Sequence, residues 1–125
     1  MPGDDATVAS DALRRFGECL ERGDAEGSAR CFTLDAVYEE PPHAFFTGRE
    51  ALHAFIADFL ARHTDVRFTV ERTLVSTNGA LAASEWRWTY RRLDGSAVAF
   101  AGMSFVALRD GQIAHWRGYS VREKP

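Results

Sequence analysis

The chain has 125 residues, enough for one domain with a single hydrophobic core. Hydrophobic residues make up 46% and charged residues 26%, which is usual for a soluble globular protein. The net charge of −3 is spread over the chain, and no stretch collects the positive charge that a nucleic acid partner would need.

Targeting and redox features are sparse. Residues 1–13 are acidic and lack an apolar stretch of signal-peptide length, and no run approaches the length of a membrane span. Cys19 and Cys31 fall within helical patterns, without the spacing of a metal or redox site. We expect two buried, reduced thiols in a cytoplasmic protein that does not enter membranes.

Two helices are predicted at the start of the chain. Residues 5–22 carry one apolar stripe at helical spacing, formed by Ala9, Leu13, Phe16 and Leu20. Gly23 can end this helix in the left-handed conformation. Asp24 can then cap a short second helix over 24–33.

A third helix is predicted over 48–62. Thr47 and Glu50 have the spacing of a capping box, in which each side chain bonds a free backbone N–H of the first turn. The apolar positions of this helix are Leu52, Phe55, Ile56, Phe59 and Leu60.

The second half of the chain has the two-residue period of strands. Val66, Phe68 and Val70 alternate with polar residues, and so do Trp86, Trp88 and Tyr90. Residues 97–108 are apolar at both parities, which predicts a strand covered on both faces, and residues 112–121 complete the set.

Three evenly spaced dipeptides separate these strands: Asn78-Gly79, Asp94-Gly95 and Asp110-Gly111. Each favours a tight hairpin, because both turn residues tolerate positive φ. We predict a meander of four antiparallel strands of about 12 residues, twice the usual length. Strands this long coil and bend, often at bulges, so the sheet should have a concave face.

The architecture follows from these elements. Three helices and one strongly curved sheet make an α+β domain, with the helices over part of the concave side and a pocket where they leave space. One parity of the third long strand (Val98, Phe100, Val106 and Leu108, or Met103 and Phe105) then lies on the outer face. A homodimer through that face would cover it.

Three segments resemble the nuclear transport factor 2-like superfamily, and within it the SnoaL-like polyketide cyclase and ketosteroid isomerase group: LERGDAEGSARCFTLDAVYEEP, FTGREALHAF and DGQIAHWRGY. The resemblance covers nearly the whole chain. It implies a cone-shaped domain over residues 1–125, with N-terminal helices packed on a strongly curved, mostly antiparallel sheet that encloses a pocket. Because the superfamily holds isomerases, cyclases, dehydratases, hydrolases and inert subunits, the fold alone does not imply one chemistry.

The resemblance also locates a candidate base. Glu40, directly before Pro41, matches the position of the aspartate general base in ketosteroid isomerases. Phe16 occupies the position of their oxyanion-hole tyrosine, and Met103 lies near their second oxyanion donor, a protonated aspartate. Both donors are therefore absent, which argues against a steroid isomerase using that apparatus.

Two other active sites of the superfamily are also incomplete. SnoaL-like cyclases have an acid close to Ser120, and limonene epoxide hydrolases have an arginine–aspartate pair near Trp86 and Trp88. This chain has neither acid.

The opposed interpretations of the candidate residues stay open at this stage. Glu40 and Tyr38 lie on the same face of a strand, and the resemblance implies that this face points into the pocket. Loss of solvent there would raise the pKa of the Glu40 carboxyl toward the range of proton transfer. Alternatively, Glu40 ends the strand in water, as is expected of Glu39, or pairs with Arg49. Tyr38 could bind a ligand oxygen or only pack, and His43 could assist Glu40 or lie in a surface loop.

The expected pocket favours a flat or greasy molecule, although its tryptophans would equally suit a plain core. The predicted pocket residues are Phe16, Phe55, Trp86, Trp88, Met103 and Trp116. The four histidines show no spacing typical of a metal site, and no phosphate-binding glycine loop or nucleophile elbow is present, so neither metal nor cofactor is implied.

The leading hypothesis is a protein that encloses a small hydrophobic molecule, aromatic or polycyclic. On it Glu40, with Tyr38 and His43, would perform cofactor-free isomerisation, cyclisation or dehydration. The second hypothesis is a module that binds a ligand without turnover, which the missing oxyanion donors favour. The third is an interaction subunit whose cavity is filled by its tryptophans.

Overall fold

The computed structural model describes residues 2–124, with side chains from residue 8 onward. It contains three helices, α1 (Pro2–Glu21), α2 (Ala25–Arg30) and α3 (Arg49–Arg62). Its six strands are β1 (Phe32–Glu40), β2 (Ala44–Thr47), β3 (His63–Val75), β4 (Leu81–Arg92), β5 (Ala97–Arg109) and β6 (Gln112–Glu123). None of these helices is long and apolar enough to cross a membrane.

The predicted start of the chain is confirmed in its main features. The apolar stripe of α1 is buried at all four positions, from Ala9 to Leu20. Gly23 takes a φ of 74° after the helix, and the Asp24 carboxylate accepts the backbone N–H of Gly27 at 2.8 Å. The second helix is shorter than predicted, because β1 begins at Phe32.

The capping box predicted at Thr47 is wrong. Thr47 is the last residue of β2 and pairs with Val37, which leaves its side chain exposed. The N-cap of α3 is instead Gly48, with a φ of 92° and no side-chain hydrogen bond. The helix itself is confirmed, with Leu52 and Ile56 buried against the core.

All six strands form one sheet, in the order β2-β1-β6-β5-β4-β3. β1 and β6 are parallel, and every other neighbouring pair is antiparallel. The predicted four-strand meander is therefore confirmed, while the short β2 was not predicted. Register shifts interrupt β3 between Thr64 and Arg67 and between Val70 and Arg72, and such bulges bend and twist long strands.

The three predicted hairpins form, but their turns differ. Asp110 and Gly111 both have positive φ, 52° and 79°, as the dipeptide predicts. At the other two turns only the glycine has positive φ. There Asn78 and Asp94 use their side-chain oxygens to accept a backbone N–H two residues on, at 3.0 and 2.9 Å.

The core lies between α1 and the concave face of the sheet. The ring of Phe16 contacts three others edge-on, with centroid distances of 5.2 Å to Phe32, 5.7 Å to Phe68 and 5.5 Å to Trp116. No described element of the chain covers the opposite face of the sheet, and Met103 and Phe105 are about half exposed there. The single chain therefore covers β5 on one face, and the cover of its other face by a second copy stays a prediction.

The Asp24 cap gives a first prediction. Replacing Asp24 with Ala should lower the free energy of unfolding by about 1 kcal/mol, because the substitution frees a helix N–H. Asp58→Ala is the matched control, since it removes an exposed i,i+4 pair with Arg62 whose contribution is about 0.5 kcal/mol or less. Urea unfolding of both variants measures the difference. Equal losses would show that the cap contributes no more than a surface ion pair.

Candidate functional site

A cavity of about 320 Å³ lies on the concave side of the sheet, between α1 and α3. A liquid water occupies about 30 Å³, so roughly ten waters would fit. The tryptophans therefore do not fill the cone. The wall consists of Phe16, Leu20, Tyr38, Glu40, His43, Ala44, Leu52, Phe55, Ile56, Phe59, Phe68, Trp86, Trp88, Tyr90, Phe100 and Ser120.

The wall is mainly aromatic, because the inward parities of β3, β4 and β5 meet there. Phe68 lies between the two tryptophans, with centroid distances of 5.4 Å to Trp86 and 5.8 Å to Trp88. Phe59 of α3 closes over Trp88 at 5.2 Å. The indole N–H of Trp86 donates to Ser104 Oγ at 2.8 Å, so this polar group is satisfied within the wall.

Glu40 is the carboxylate of this wall. It ends β1, two residues after Tyr38, so the two side chains project to the same face, and the Tyr38 hydroxyl donates to a carboxylate oxygen of Glu40. Burial raises the pKa of the Glu40 carboxyl; the bond from Tyr38 and the charge of His43 act in the opposite direction but are smaller. Burial likewise raises the pKa of the Tyr38 phenol well above its usual value.

Trp116 lies behind Glu40 and Tyr38. Its ring stacks on Tyr38 with a centroid distance of 5.7 Å, and the residue is only 1% exposed. Its indole N–H lies beside the Glu40 carboxylate and lowers the pKa of that group, yet no described atom accepts it in good hydrogen-bond geometry. Trp116 is therefore a second layer that supports the wall, and its prediction as a lining residue is wrong.

Met103 is also wrongly predicted as a pocket residue. It pairs with Glu85 and Tyr119 on the outer face of the sheet and is 49% exposed. The residue opposite Trp86 on the inner face is Gly102. Because β5 is apolar at both parities, its sequence does not reveal which parity turns inward.

Two glycines that the sequence analysis missed leave room for this wall. A Cβ on Gly102 would lie 2.6 Å from Trp86 Cη2 and from the Tyr119 carbonyl oxygen. A Cβ on Gly118 would lie 2.9 Å from Trp116 Nε1 and Ser104 Oγ. Both positions are inside strands, where a glycine often marks a close approach, and this was the available signal.

The remaining predicted site residues come together. Glu40, Tyr38, His43, Phe16, Phe55, Trp86 and Trp88 all lie in the cavity wall. The sequence analysis did not include Phe59, Phe68, Tyr90 and Phe100 among the pocket residues. The strand alternation offered a signal for two of these, since Phe68 shares the parity of Val66 and Tyr90 that of Trp88.

The alternative partner of Glu40 is engaged elsewhere. Arg49 donates from Nε and Nη2 to the carbonyl oxygen of Phe32, at 2.9 and 2.5 Å. Glu39 points to the other side of the sheet, where it lies 2.6 Å from Nε2 of His115. Within residues 8–124, no three His, Cys, Asp or Glu side chains gather as a metal site would require.

Comparison with known proteins places this geometry in a family. Residues 13–116 match the SnoaL-like domain family, and no curated protein sequence is similar enough to count as a match. The fold is similar to a ketosteroid-isomerase-like protein from Catenulispora acidiphila in complex with trimethylamine (16% identity, TM-score 0.77, 86% of this chain and 83% of that one). It is also similar to the Δ5-3-ketosteroid isomerase of a Mycobacterium species, at 22% identity and a TM-score of 0.79, with 93% of this chain and 98% of that one covered.

A third similar structure is a LEH-like epoxide hydrolase from Mycobacterium tuberculosis, at 21% identity and a TM-score of 0.81, with 93% of this chain and 84% of that one covered. At these identities the structures share the fold alone. The family match extends over most of the chain, in agreement with the resemblance of the three sequence segments. The chain belongs to the SnoaL-like domain family, within the nuclear transport factor 2-like fold.

Proposed function

We propose that the cavity encloses a small hydrophobic molecule and that Glu40 transfers a proton on it without a cofactor, in an isomerisation, cyclisation or dehydration. The observation that carries this proposal is a carboxylate, mostly removed from water, in the wall of a mainly apolar cavity. A raised pKa brings a glutamate toward the range in which it can both accept and release a proton near neutral pH. The fold family includes ketosteroid isomerases and polyketide cyclases, in keeping with chemistry of this kind.

In this proposal Tyr38 is a positioning residue. Its hydroxyl donates to Glu40, so its proton is not free for a ligand oxygen. The bond fixes the orientation of the carboxylate toward the cavity, which a proton transfer requires. His43 follows the two prolines after Glu40 and lies at the edge of the wall, where its charge acts on the same carboxylate.

Binding without turnover is the second candidate function. Phe16 stands in the wall where the isomerases have an oxyanion donor, and Met103 is turned away from the cavity. Besides the engaged Tyr38 and Trp86, the side-chain donors of the described wall are the imidazole of His43 and the hydroxyls of Tyr90 and Ser120. Loss of one such donor costs about a hundredfold or more in rate, which supports a non-catalytic module. The Catenulispora complex with trimethylamine indicates that a protein of this fold can bind a small amine.

We also propose that the protein is a homodimer through the outer face of the sheet. Met103, Phe105, Tyr119 and Val121 are 49 to 68% exposed there; Met103 pairs with Tyr119, and Phe105 and Val121 follow two residues on along β5 and β6. An apolar surface of this kind on a curved sheet is costly to leave in water, and a second copy would cover it.

The proposed base can be tested on a general carbon acid. In deuterium oxide, the protein should accelerate exchange of the hydrogens next to the carbonyl of 2-tetralone, as followed by NMR. Glu40→Gln should lower this acceleration by about a hundredfold or more. Glu39→Gln, one residue away on the other face, is the matched control and should keep it. Exchange that survives in Glu40→Gln would refute the base, and binding of the ketone without any exchange would favour the non-catalytic module.

Burial of Glu40 also predicts a pH-dependent cost in stability. Because its folded pKa is raised, the folded state holds the proton more tightly, and the free energy of unfolding falls as pH rises from the unfolded pKa through the folded one. Glu40→Gln keeps the shape without the charge. It should therefore match the wild type near pH 4 and exceed it by about 1 kcal/mol near pH 8.

Urea unfolding at the two pH values measures this gain, with Glu21→Gln, at an exposed glutamate at the end of α1, as the control that should show little change. A Glu40→Gln protein that is less stable than the wild type at both pH values would mean that the carboxylate is well compensated in the folded state.

The proposed dimer predicts a change of mass. Met103→Glu should convert a dimer into a monomer, because it puts an unpaired charge into the apolar patch, between Tyr119 and Glu85. Leu93→Glu is the control: Leu93 is 73% exposed but lies in the hairpin turn between β4 and β5. Size exclusion with light scattering gives the mass of each. A wild-type protein that is monomeric at micromolar concentration would exclude this interface.

A further inference from the structure

The described cavity wall contains few ionisable groups. Glu40 is the single carboxylate among the described wall residues, and no arginine or lysine is among them. The guanidinium of Arg122 lies over the ring of Phe100, at 5.7 Å, near the far end of β6. Gly118, close to Glu40, is four residues before Arg122, which corresponds to about 13 Å along a strand. Among the described wall residues, Glu40 alone can therefore carry a negative charge, and its neighbour His43 alone a positive one.

The wall around this carboxylate suits a cation in a second way. Nine of its sixteen residues are aromatic, and both lining tryptophans are among them. The faces of aromatic rings carry partial negative charge, and tryptophan attracts an ammonium group most strongly. A cation that enters the cavity thus contacts favourable groups on its apolar sides as well as at the carboxylate.

Enclosing a neutral molecule has a different effect. It would remove the remaining water from Glu40, whose described hydrogen-bond donor is the Tyr38 hydroxyl, and a desolvated carboxylate is costly unless it is paired. The carboxyl would have to take up a proton. An ammonium ion would instead replace the lost water as the partner of the charged form, and an anion would be repelled.

We propose that the enclosed molecule is a small lipophilic amine, bound as its ammonium cation with Glu40 as the counter-ion and the tryptophan and phenylalanine rings around its apolar groups. This inference rests on the proposed enclosure of a ligand in the cavity, but not on proton transfer. The volume of about 320 Å³ is at the lower end of the range for ligand cavities, about 300 to 1,000 Å³, so the amine is compact.

The test compares two molecules of the same shape, phenyltrimethylammonium and tert-butylbenzene. The central atom of the substituent is a positively charged nitrogen in the first and a neutral carbon in the second. Isothermal titration, together with the fluorescence of the lining tryptophans, gives both affinities. The wild type should bind the cation at least tenfold more tightly. Glu40→Gln should lower the affinity for the cation about tenfold or more and change the affinity for the hydrocarbon little, whereas Glu39→Gln should bind both probes as the wild type does. Circular dichroism checks that each variant is folded.

The pH profile separates Glu40 from His43. The probe carries a permanent charge, so its affinity should rise with pH only as groups in the wall lose protons. The rise should be clearly smaller in Glu40→Gln than in the wild type, because only His43 then changes charge among the described wall residues. A rise of the same size in Glu40→Gln would assign the effect to His43 and overturn the counter-ion.

A second variant tests the aromatic part of the site. Trp88→Leu should weaken binding of the cation more than binding of the hydrocarbon, because leucine keeps the apolar contact but has no aromatic ring face. Equal losses for both probes would refute the contribution of the ring.

The outcomes distinguish this inference from the proposed function. Equal affinity for the two probes, or preference for tert-butylbenzene, would overturn the amine while leaving a ligand-binding cavity. Failure of both probes to bind would overturn the enclosure itself. The ketone exchange experiment, in turn, reports on proton transfer and can fail without affecting this result.

Discussion

The cavity depends on one mechanical constraint: strands of 12 and 13 residues cannot form a flat sheet. Twist accumulates along β3 to β6, and the bulges in β3 increase it. The sheet therefore curves around α1 and α3, and side chains of the inner parity converge. At Gly102 and Gly118 the absence of a Cβ lets Trp86 and Trp116 approach the neighbouring strands. The same curvature that builds the core at one end leaves open space at the other.

Glu40 lies at the boundary between these two ends. On one side it is supported by Tyr38 and, behind it, by Trp116; on the other it faces the cavity. A sequence selected only for stability would favour a neutral side chain there, since burial disfavours the charged form. The unpartnered indole N–H of Trp116 is a second polar group left incompletely satisfied at the same place. Such local deficits are typical of functional sites, where stability is given up for a defined chemical group.

The sequence predicts the parts of this structure that rest on local rules. Alternation locates β3 and β4, and the Asx-Gly dipeptides locate three hairpins. The predictions from sequence are wrong where tertiary contacts determine the position of a residue. Thr47 fails as a cap because pairing with Val37 extends a strand to it. Met103 is misplaced because β5 is apolar on both sides, so that register with β4 alone determines its face. Trp116 has the expected parity but lies one layer too deep, behind the ring of Tyr38.

Proton transfer and amine binding place opposite demands on Glu40. A base needs a pKa near neutrality, which an apolar cavity supplies, whereas a bound ammonium stabilises the carboxylate and weakens it as a base. The two roles are compatible if the ammonium is held by the rings some distance away and the reacting carbon lies next to the carboxylate. If the ammonium contacts Glu40 directly, the carboxylate is a counter-ion and the protein is a binding module. The position of the charge along the cavity axis therefore decides between the enzyme and the binding protein, and the same carboxylate, tyrosine and rings serve either.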